Sequence, residues 1–486
     1  MAPENHRFAQ YIDGRFTEGS GAPLEVENPY TEKTITTVAQ SGAADVEAAV
    51  AGARRSVDDG WGRMSRDDRR RVMTRMADAL AARSDDLTDL QIAECGMFRR
   101  MCSYVNTSLP LQWWHDYADL AGREWDEPMR PVTWHTATGP KYASGWVYQE
   151  PVGVVSAIVP FNFPFFVATH KVAAALAAGC SVVLKLSELT PLACTLIAEA
   201  AADADLPAGA LQYVIGGPEV GTAMVEHPDV DCVSFTGSTK VGSAIGARCG
   251  TDIKKVVLEL GGKSAAIILD DANLDEAMIE IVGAFSHGGQ GCALTTRLVV
   301  HEAVADDVVE RLTAFARFLT PGDPAEPSTT HSPQITAAAR DRVLGMIEAG
   351  SAAGAELVFG GGPISDQPSG HWVEPTLFDR CPTRARIAQE EIFGPVLVVH
   401  RVADDSEAVA VANDSDFGLW GAVFTQDIRR GLRVARGVRT GCMGINGEVV
   451  NNDAPFGGVK KSGVGREFGA YGVREFLEPK SVTWWK

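Results

Sequence analysis

The sequence predicts an α/β protein: a doubly wound, Rossmann-type domain, a second α/β domain and a small β flap. Three observations predict it. From about residue 150, short and continuously apolar runs alternate with Ala-rich helical runs. A second such series begins near residue 262. The segments 128–149 and 481–486 follow neither pattern and alternate polar with apolar residues, as edge strands do. Strands that are apolar throughout belong to a parallel sheet covered by helices on both faces. Such a sheet binds ligands outside the carboxyl ends of its strands.

The elements follow in order. Ala44 to Val57 puts Val46, Ala49, Val50, Ala53 and Val57 on one face at helical spacing. A second helix runs from Ser65 to Arg83; Ser65 and Asp68 give it a capping-box-like start, and Met73, Met76 and Leu80 form its stripe. The first strand series is 154–159, 181–186, 211–215, 231–237 and 255–260, with helices at 167–179 and through Ala202. The second series has strands at 264–270, 296–301, 395–402 and 421–425, and helices at 303–318 and 335–353. The expected division is therefore 1–127 with 150–261 as a cofactor domain, 262–455 as a second domain, and 128–149 with 456–486 as a flap. Edge strands without a neighbour in their own chain pair between subunits, so the flap is expected to join copies into a homodimer or homotetramer.

Bulk properties exclude several function classes. With 44 basic against 63 acidic residues, the formal net charge is −19. Such a surface repels phosphate backbones and anionic lipid, which argues against a nucleic-acid or membrane partner. The nine cysteines include no C-x-x-C and no Cys/His cluster at zinc spacing, so no metal is expected. The opening residues, MAPENHRFAQYIDG, carry no apolar core and no cleavage site. A reducing, cytoplasmic setting is expected from this and from the odd cysteine count. Val152 to Thr169 is apolar enough to imitate a membrane span, but Pro160, Asn162 and Pro164 interrupt it. It reads as a buried strand followed by a functional loop.

Four segments carry candidate chemistry. Cys292 follows Gly288, Gly289 and Gly291, which leave little bulk in front of its sulfur. A nucleophilic thiolate needs such access; the competing reading is a small buried hydrophobe beside a Gly-rich turn. Glu259 ends an apolar strand just before Gly261-Gly262. Burial there would lift its pKa towards the range of a general base, while a salt-bridged strand end would explain it equally. Asn162 lies in PFNFP, between prolines and aromatics, where its amide can donate to a developing oxyanion or make a local turn bond. FTGSTKVG (235–242) runs from a strand through a small-residue turn into a helix, whose N-terminal N–H groups suit a pyrophosphate. It lacks the G-x-G-x-x-G pattern. In LKLSE (184–188), Lys185 and Glu188 can reach ribose hydroxyls or stand as solvated turn charges.

Taken together, these segments resemble the aldehyde dehydrogenase superfamily. PFNFP, LKLSE, FTGSTKVG, LELGGK, GQGC, EEIFGP (390–395) and PFGGVKKSGVGRE (455–467) occur in that family's order and at about its spacings, across residues 10–486. Each motif alone is weak, whereas seven in order are specific. The resemblance implies the fold above, NAD as cofactor and an aldehyde as substrate. It implies Cys292 as nucleophile, Glu259 as general base and Asn162 as oxyanion donor. It implies Lys185 and Glu188 on the adenosine ribose, Gly237 and Ser238 at the pyrophosphate, Glu391 on the nicotinamide ribose and Phe393 beside the nicotinamide. Lys171 and Glu467 match positions linked in some members to proton relay. Glu188 would repel a 2′-phosphate, so NAD is expected over NADP.

The same machinery has other fates in related chains. A coenzyme A-acylating relative tends to lack the base at Glu259, and a silent binding relative would lose the nucleophile, base or turn. None is missing here. A cofactor-free thiol esterase is a side reaction that Cys292 could support. Three departures bear on the substrate. Leu186 replaces a frequent proline, His170 stands where many members line the aldehyde tunnel with tryptophan, and Gly291 and Ala293 flank the nucleophile with little bulk. Tunnel shape would also draw on Trp113, Trp114 and Glu448 to Asp453, although paired tryptophans on a helix equally suit a core. These residues leave aliphatic, aromatic and terpenoid aldehydes all open.

Overall fold

The computed structural model describes residues 6–447 and 451–485. Among them, an eight-stranded sheet runs in the order 15–17, 10–12, 211–214, 181–185, 154–158, 232–236, 255–259 and 463–464. The five strands from 211–214 to 255–259 are parallel. Their side chains alternate between two cores, as a period of two requires. Val155, Ala157 and Leu184 face the large core under the helix Pro164–Ala178. Val154, Ile158 and Val183 face the core shared with the helix Ala43–Asp59. The sheet is therefore wound on both faces. The strands 10–12 and 463–464 join its two sides antiparallel, where a short edge strand needs no crossover helix.

Local signals work as read. Ser65 caps the helix Arg66–Ala81: its oxygen accepts from the Asp68 backbone N–H at 3.2 Å and its hydroxyl donates to the Asp68 carboxylate at 2.5 Å. Pro164 opens the helix Pro164–Ala178 and Gly179, at φ +94°, closes it. Proline begins this helix because the first turn needs no internal N–H bond, so it starts ahead of the expected residue 167. The stretch 152–169 is a buried strand, a loop and this helix. Among the described residues, no helix is long and apolar enough to cross a membrane.

A second, seven-stranded sheet follows, ordered 356–359, 376–379, 396–402, 297–301, 265–268, 421–424 and 444–445. It is parallel except at its first strand. The expected flap segments pair with each other within the chain. Leu477–Trp485 lies antiparallel to Gly139–Pro151, from Leu477 opposite Pro151 to Trp485 opposite Ala143, and Val132–Thr136 lines the other edge. The segment 456–486 divides. Its strand Gly463–Val464 extends the first sheet beside Glu259, and the helix Gly469–Arg474 rests on the helix Pro164–Ala178. Only the stretch from Leu477 onward belongs to the flap, because the glycine-rich part before it is hydrogen-bonded to the strand end that carries Glu259.

Candidate active site

The loop ahead of Cys292 is held by its glycines and by one glutamine. His287, Gly288 and Gly289 all have positive φ, and a Cβ on Gly289 would stand 2.1 Å from the Gly394 backbone. Only glycine allows that approach. Gln290 is fully buried. Its amide nitrogen donates to the carbonyls of His287 (3.0 Å) and Pro333 (3.1 Å), and its oxygen accepts from the Ile335 N–H (2.9 Å). The Gln290 carbonyl accepts from Asn162 Nδ2 at 2.8 Å. Thus the PFNFP loop, which leaves the sheet at Ile158, is tied to the turn that bears the half-buried Cys292.

Glu259 reaches the same place from the other side. It ends the strand Lys255–Glu259, is buried, and neither carboxylate oxygen has a hydrogen-bond partner. Beyond it, a Cβ at Gly262 would lie 2.2 Å from the Cys292 carbonyl oxygen, so this segment runs hard against the cysteine turn. A Cβ at Gly457 would lie 2.5 Å from Glu259 Oε1. Nearby, Lys171 Nζ donates to Glu467 Oε1 at 2.7 Å and to Ser234 Oγ at 3.0 Å, all within the interior.

The electrostatics are those of a buried, acidic cluster. Burial, and then the charge of Glu467, hold the Glu259 carboxyl well above the usual carboxylate range, and Lys171 opposes the shift. Burial pushes the Cys292 thiol up to about 12, assisted by Glu391 and then Glu259. Burial raises Glu391 to about 7 against the pull of its bond from the Gly262 N–H, 3.0 Å long. A thiol among carboxylates needs a base, and an unpartnered carboxyl lies beside it. The arrangement can therefore do nucleophilic acyl chemistry with proton transfer.

The remaining candidates form three groups. Lys185 ends its strand buried, with Nζ donating to the Leu186 carbonyl at 2.9 Å and standing 3.9 Å from Glu188. Two strands over, Gly237 donates its N–H to the Glu259 carbonyl (3.0 Å), and Ser238 caps the helix Thr239–Asp252. Both groups sit at the carboxyl ends of parallel strands, where a dinucleotide fits: a lysine and carboxylate for ribose hydroxyls, then open helix N–H groups for a pyrophosphate. Glu391 lies over Gly261-Gly262, and the Phe393 ring meets Phe161 edge-on at 5.9 Å, bringing this third pair to the cysteine side.

A profile of the aldehyde dehydrogenase family matches residues 16–482. The chain belongs to the aldehyde dehydrogenase family. Among relatives, geranial dehydrogenase of Castellaniella defragrans is 38% identical over 475 residues, covering 97% of each chain. Among solved structures, the aldehyde dehydrogenase of Mycobacterium tuberculosis complexed with NAD+ superposes with a TM-score of 0.91 at 39% identity, covering 98% of this chain and 97% of that one. A point mutant of betaine aldehyde dehydrogenase of Staphylococcus aureus in complex with NAD+ gives 0.94 at 33% identity, with 98% and 97% covered. The family's reaction, NAD-dependent oxidation of an aldehyde to the acid, is this chain's reaction.

Within this aldehyde dehydrogenase, sequence reasoning missed Gln290 as the anchor of the cysteine turn and Gly457 as the wall of Glu259. Gln290 had a signal: an amide amid glycines next to a buried turn must find partners. Gly457 had none, because its neighbour lies far away in the chain. Trp113 and Trp114 are both buried, and Trp114 Nε1 donates to Thr169 Oγ1 at 3.1 Å. Of the expected tunnel stretch, Glu448 to residue 450 lies outside the described residues.

Proposed function

We propose that Cys292 attacks the aldehyde carbonyl and that Glu259 activates the water that releases the acid. The observation that carries this reading is the unpartnered Glu259 carboxyl, held against Gly457 beside a cysteine turn that Asn162 ties down. The sulfur of Cys292 bonds to the carbonyl carbon and forms a thiohemiacetal, while the thiol proton passes to the buried carboxyl system. The oxyanion takes hydrogen bonds from Asn162 Nδ2 and the Cys292 backbone N–H. NAD, when bound, supplies the acceptor for the hydride leaving that carbon. Glu259 then takes a proton from water, the water oxygen adds to the acyl carbon of the thioester, and the carbon–sulfur bond breaks. Lys171 and Glu467 lie where they can pass the proton onward.

For the cofactor, we assign Lys185 and Glu188 to the adenosine ribose, Gly237 and Ser238 to the pyrophosphate, Glu391 to the nicotinamide ribose and Phe393 to the nicotinamide face. Glu188 favours NAD over NADP, since its charge opposes a 2′-phosphate. The enzyme is read as cytoplasmic. The flap is read as an oligomerisation element, because Tyr142, Trp146, Tyr148, Val482 and Trp484 share one exposed face of it. A monomer in sedimentation at micromolar concentration would remove that role.

The test is the initial rate of NAD reduction across short, long, aromatic and acidic aldehydes without coenzyme A. Acid formed in step with NADH supports the scheme, and Cys292→Ser should abolish it. Turnover that survives the Cys292→Ser change excludes this nucleophile.

A further inference from the structure

A surface cleft of about 540 Å³ opens at the start of the helix Arg66–Ala81. Arg66, Asp67 and Arg69 line it from this helix, and Gly122 and Glu124 from the chain just past the helix Leu109–Ala121. None of these residues belongs to the cysteine, carboxyl or cofactor groups described above.

One cation in this cleft lacks a counterion. Arg69 is only 9% exposed, yet among the described residues it forms no ion pair, and its hydrogen bond runs from Nη1 to the Met64 carbonyl at 2.9 Å. Its Nε is buried and donates to nothing. Arg66, by contrast, is paired twice, with Glu124 at 2.6 Å and with Asp126 at 3.0 Å. Burial, then the like charge of Arg66, pull the Arg69 guanidinium down from its usual range, and the Cys180 thiol opposes them. A nearby helix end supplies a favourable field: a Cβ on Gly179 would lie 3.1 Å from Arg69 Nη1, at the C-terminus of the helix Pro164–Ala178. It supplies no acceptor to Nε. Its Ala175 and Leu176 carbonyls accept from the N–H of Gly179, and the Leu176 carbonyl also from Trp61 Nε1 at 3.2 Å. A buried cation without a partner is costly and calls for an explanation.

We propose that this cleft binds a small organic monocarboxylate, the class of product that aldehyde oxidation releases. With Nη1 held by Met64, the Nε–Nη2 edge of Arg69 is left, and that edge matches the two oxygens of a carboxylate. A helical side chain leans towards the helix N-terminus, so the guanidinium lies over the first turn, where the Arg66 and Asp67 N–H groups have no internal acceptor. That end of the helix favours an anion. The carboxylates of Asp67 and Glu124 on the wall limit the charge, selecting one negative charge over the two or more of a phosphate or a polyacid. The volume exceeds what a bare ion needs and lies in the range of organic ligand sites. The site stands independently of the roles given to Cys292 and Glu259.

The experiment uses 4-bromobenzoate on the full-length enzyme saturated with NAD, so that the cofactor site is closed to it. In soaked crystals, the anomalous signal of bromine should place the probe in the cleft with its carboxylate on Arg69. In solution, calorimetry should show a binding event that neutral 4-bromobenzyl alcohol does not give. Arg69→Met should weaken that event by about tenfold or more, since a charge-assisted bond is lost. Glu124→Gln should tighten it by about two- to fivefold, by removing an exposed like charge and releasing Arg66. Melting temperature and NAD binding report whether each variant folds. Should Arg69→Met not fold, Glu124→Gln and the bromine position still decide. Bromine found only beside Cys292, an affinity that the variants leave unchanged, or density in soaked crystals without an event in solution overturns the proposal; Arg69 then meets water and the helix end alone.

Discussion

Asn162 Nδ2 donates to the backbone carbonyl of Gln290 at 2.8 Å, so the amide of one loop is oriented by the turn that carries Cys292. One of its two N–H bonds fixes the plane, and in the proposed reaction the other faces the developing charge. Donors arranged in advance are worth most, because they need no reorganisation when the charge appears. Asn162→Ala is expected to lower kcat by about 10²–10³ and, by leaving the Gln290 carbonyl without its partner, to cost about 1–3 kcal/mol in stability. Steady-state rates with a fast aldehyde read this, and an unchanged kcat takes Asn162 out of the scheme.

In the proposed mechanism, the Lys171–Glu467 pair tunes the pH at which Glu259 acts as a base. Glu467 raises the Glu259 carboxyl and Lys171 lowers it, with Arg466 lowering and Glu475 raising it more weakly. Glu259 serves as a base only after losing its proton, so activity climbs as pH rises through its pKa. Removing a raising charge moves that limb to lower pH, and removing a lowering charge moves it to higher pH. Glu467→Gln should therefore shift the acid limb of kcat downward and Lys171→Met should shift it upward. Lys171→Met also leaves Glu467 buried and unpaired, at a cost of about 3–5 kcal/mol in stability. Parallel shifts of the two profiles would contradict the linkage.

Glu391 acts on the Cys292 thiol from a distance. Its charge is the largest cause after burial of the high Cys292 thiol pKa. Glu391→Gln removes that charge, so the thiolate should form at lower pH. The rate of alkylation by iodoacetamide, followed against pH in the absence of NAD, should have its midpoint shifted downward. An upward shift, or none, would mean that Glu391 does not sense the sulfur.

Gln290→Ala tests the anchor of the turn. Three hydrogen bonds disappear, and the Ile335 N–H and two carbonyls are left in the interior. The expected loss is about 3 kcal/mol or more, since each unmet buried group costs about 1–3 kcal/mol. Thermal unfolding reads the loss. Activity should fall as well, because the backbone carbonyl that accepts the Asn162 bond would sit on a turn that has lost its side-chain anchor. A variant as stable as the wild type would show that water replaces the side chain.

Much of this was legible in the amino-acid order, for a physical reason. Apolar strands such as 154–158 and 181–185, buried along their whole length, announce a sheet covered on both faces. Ser65, Pro164 and Gly179 mark helix ends through local bonds and local backbone limits, which need no distant partner. The family was also legible, because the candidate residues Cys292, Glu259 and Asn162 each stand in short motifs whose order identifies it. What only the tertiary structure decided is the set of contacts across long stretches of chain. It joined Gly463–Val464 to the strand of Glu259, although residues 456–486 had been expected in the flap. It set Gly457 against the Glu259 carboxyl, paired Lys171 with Glu467, and surrounded His170 with Trp113, Phe166 and Phe468. Those relations depend on which surfaces meet when the two cores close, and burial then sets the charge states of the site.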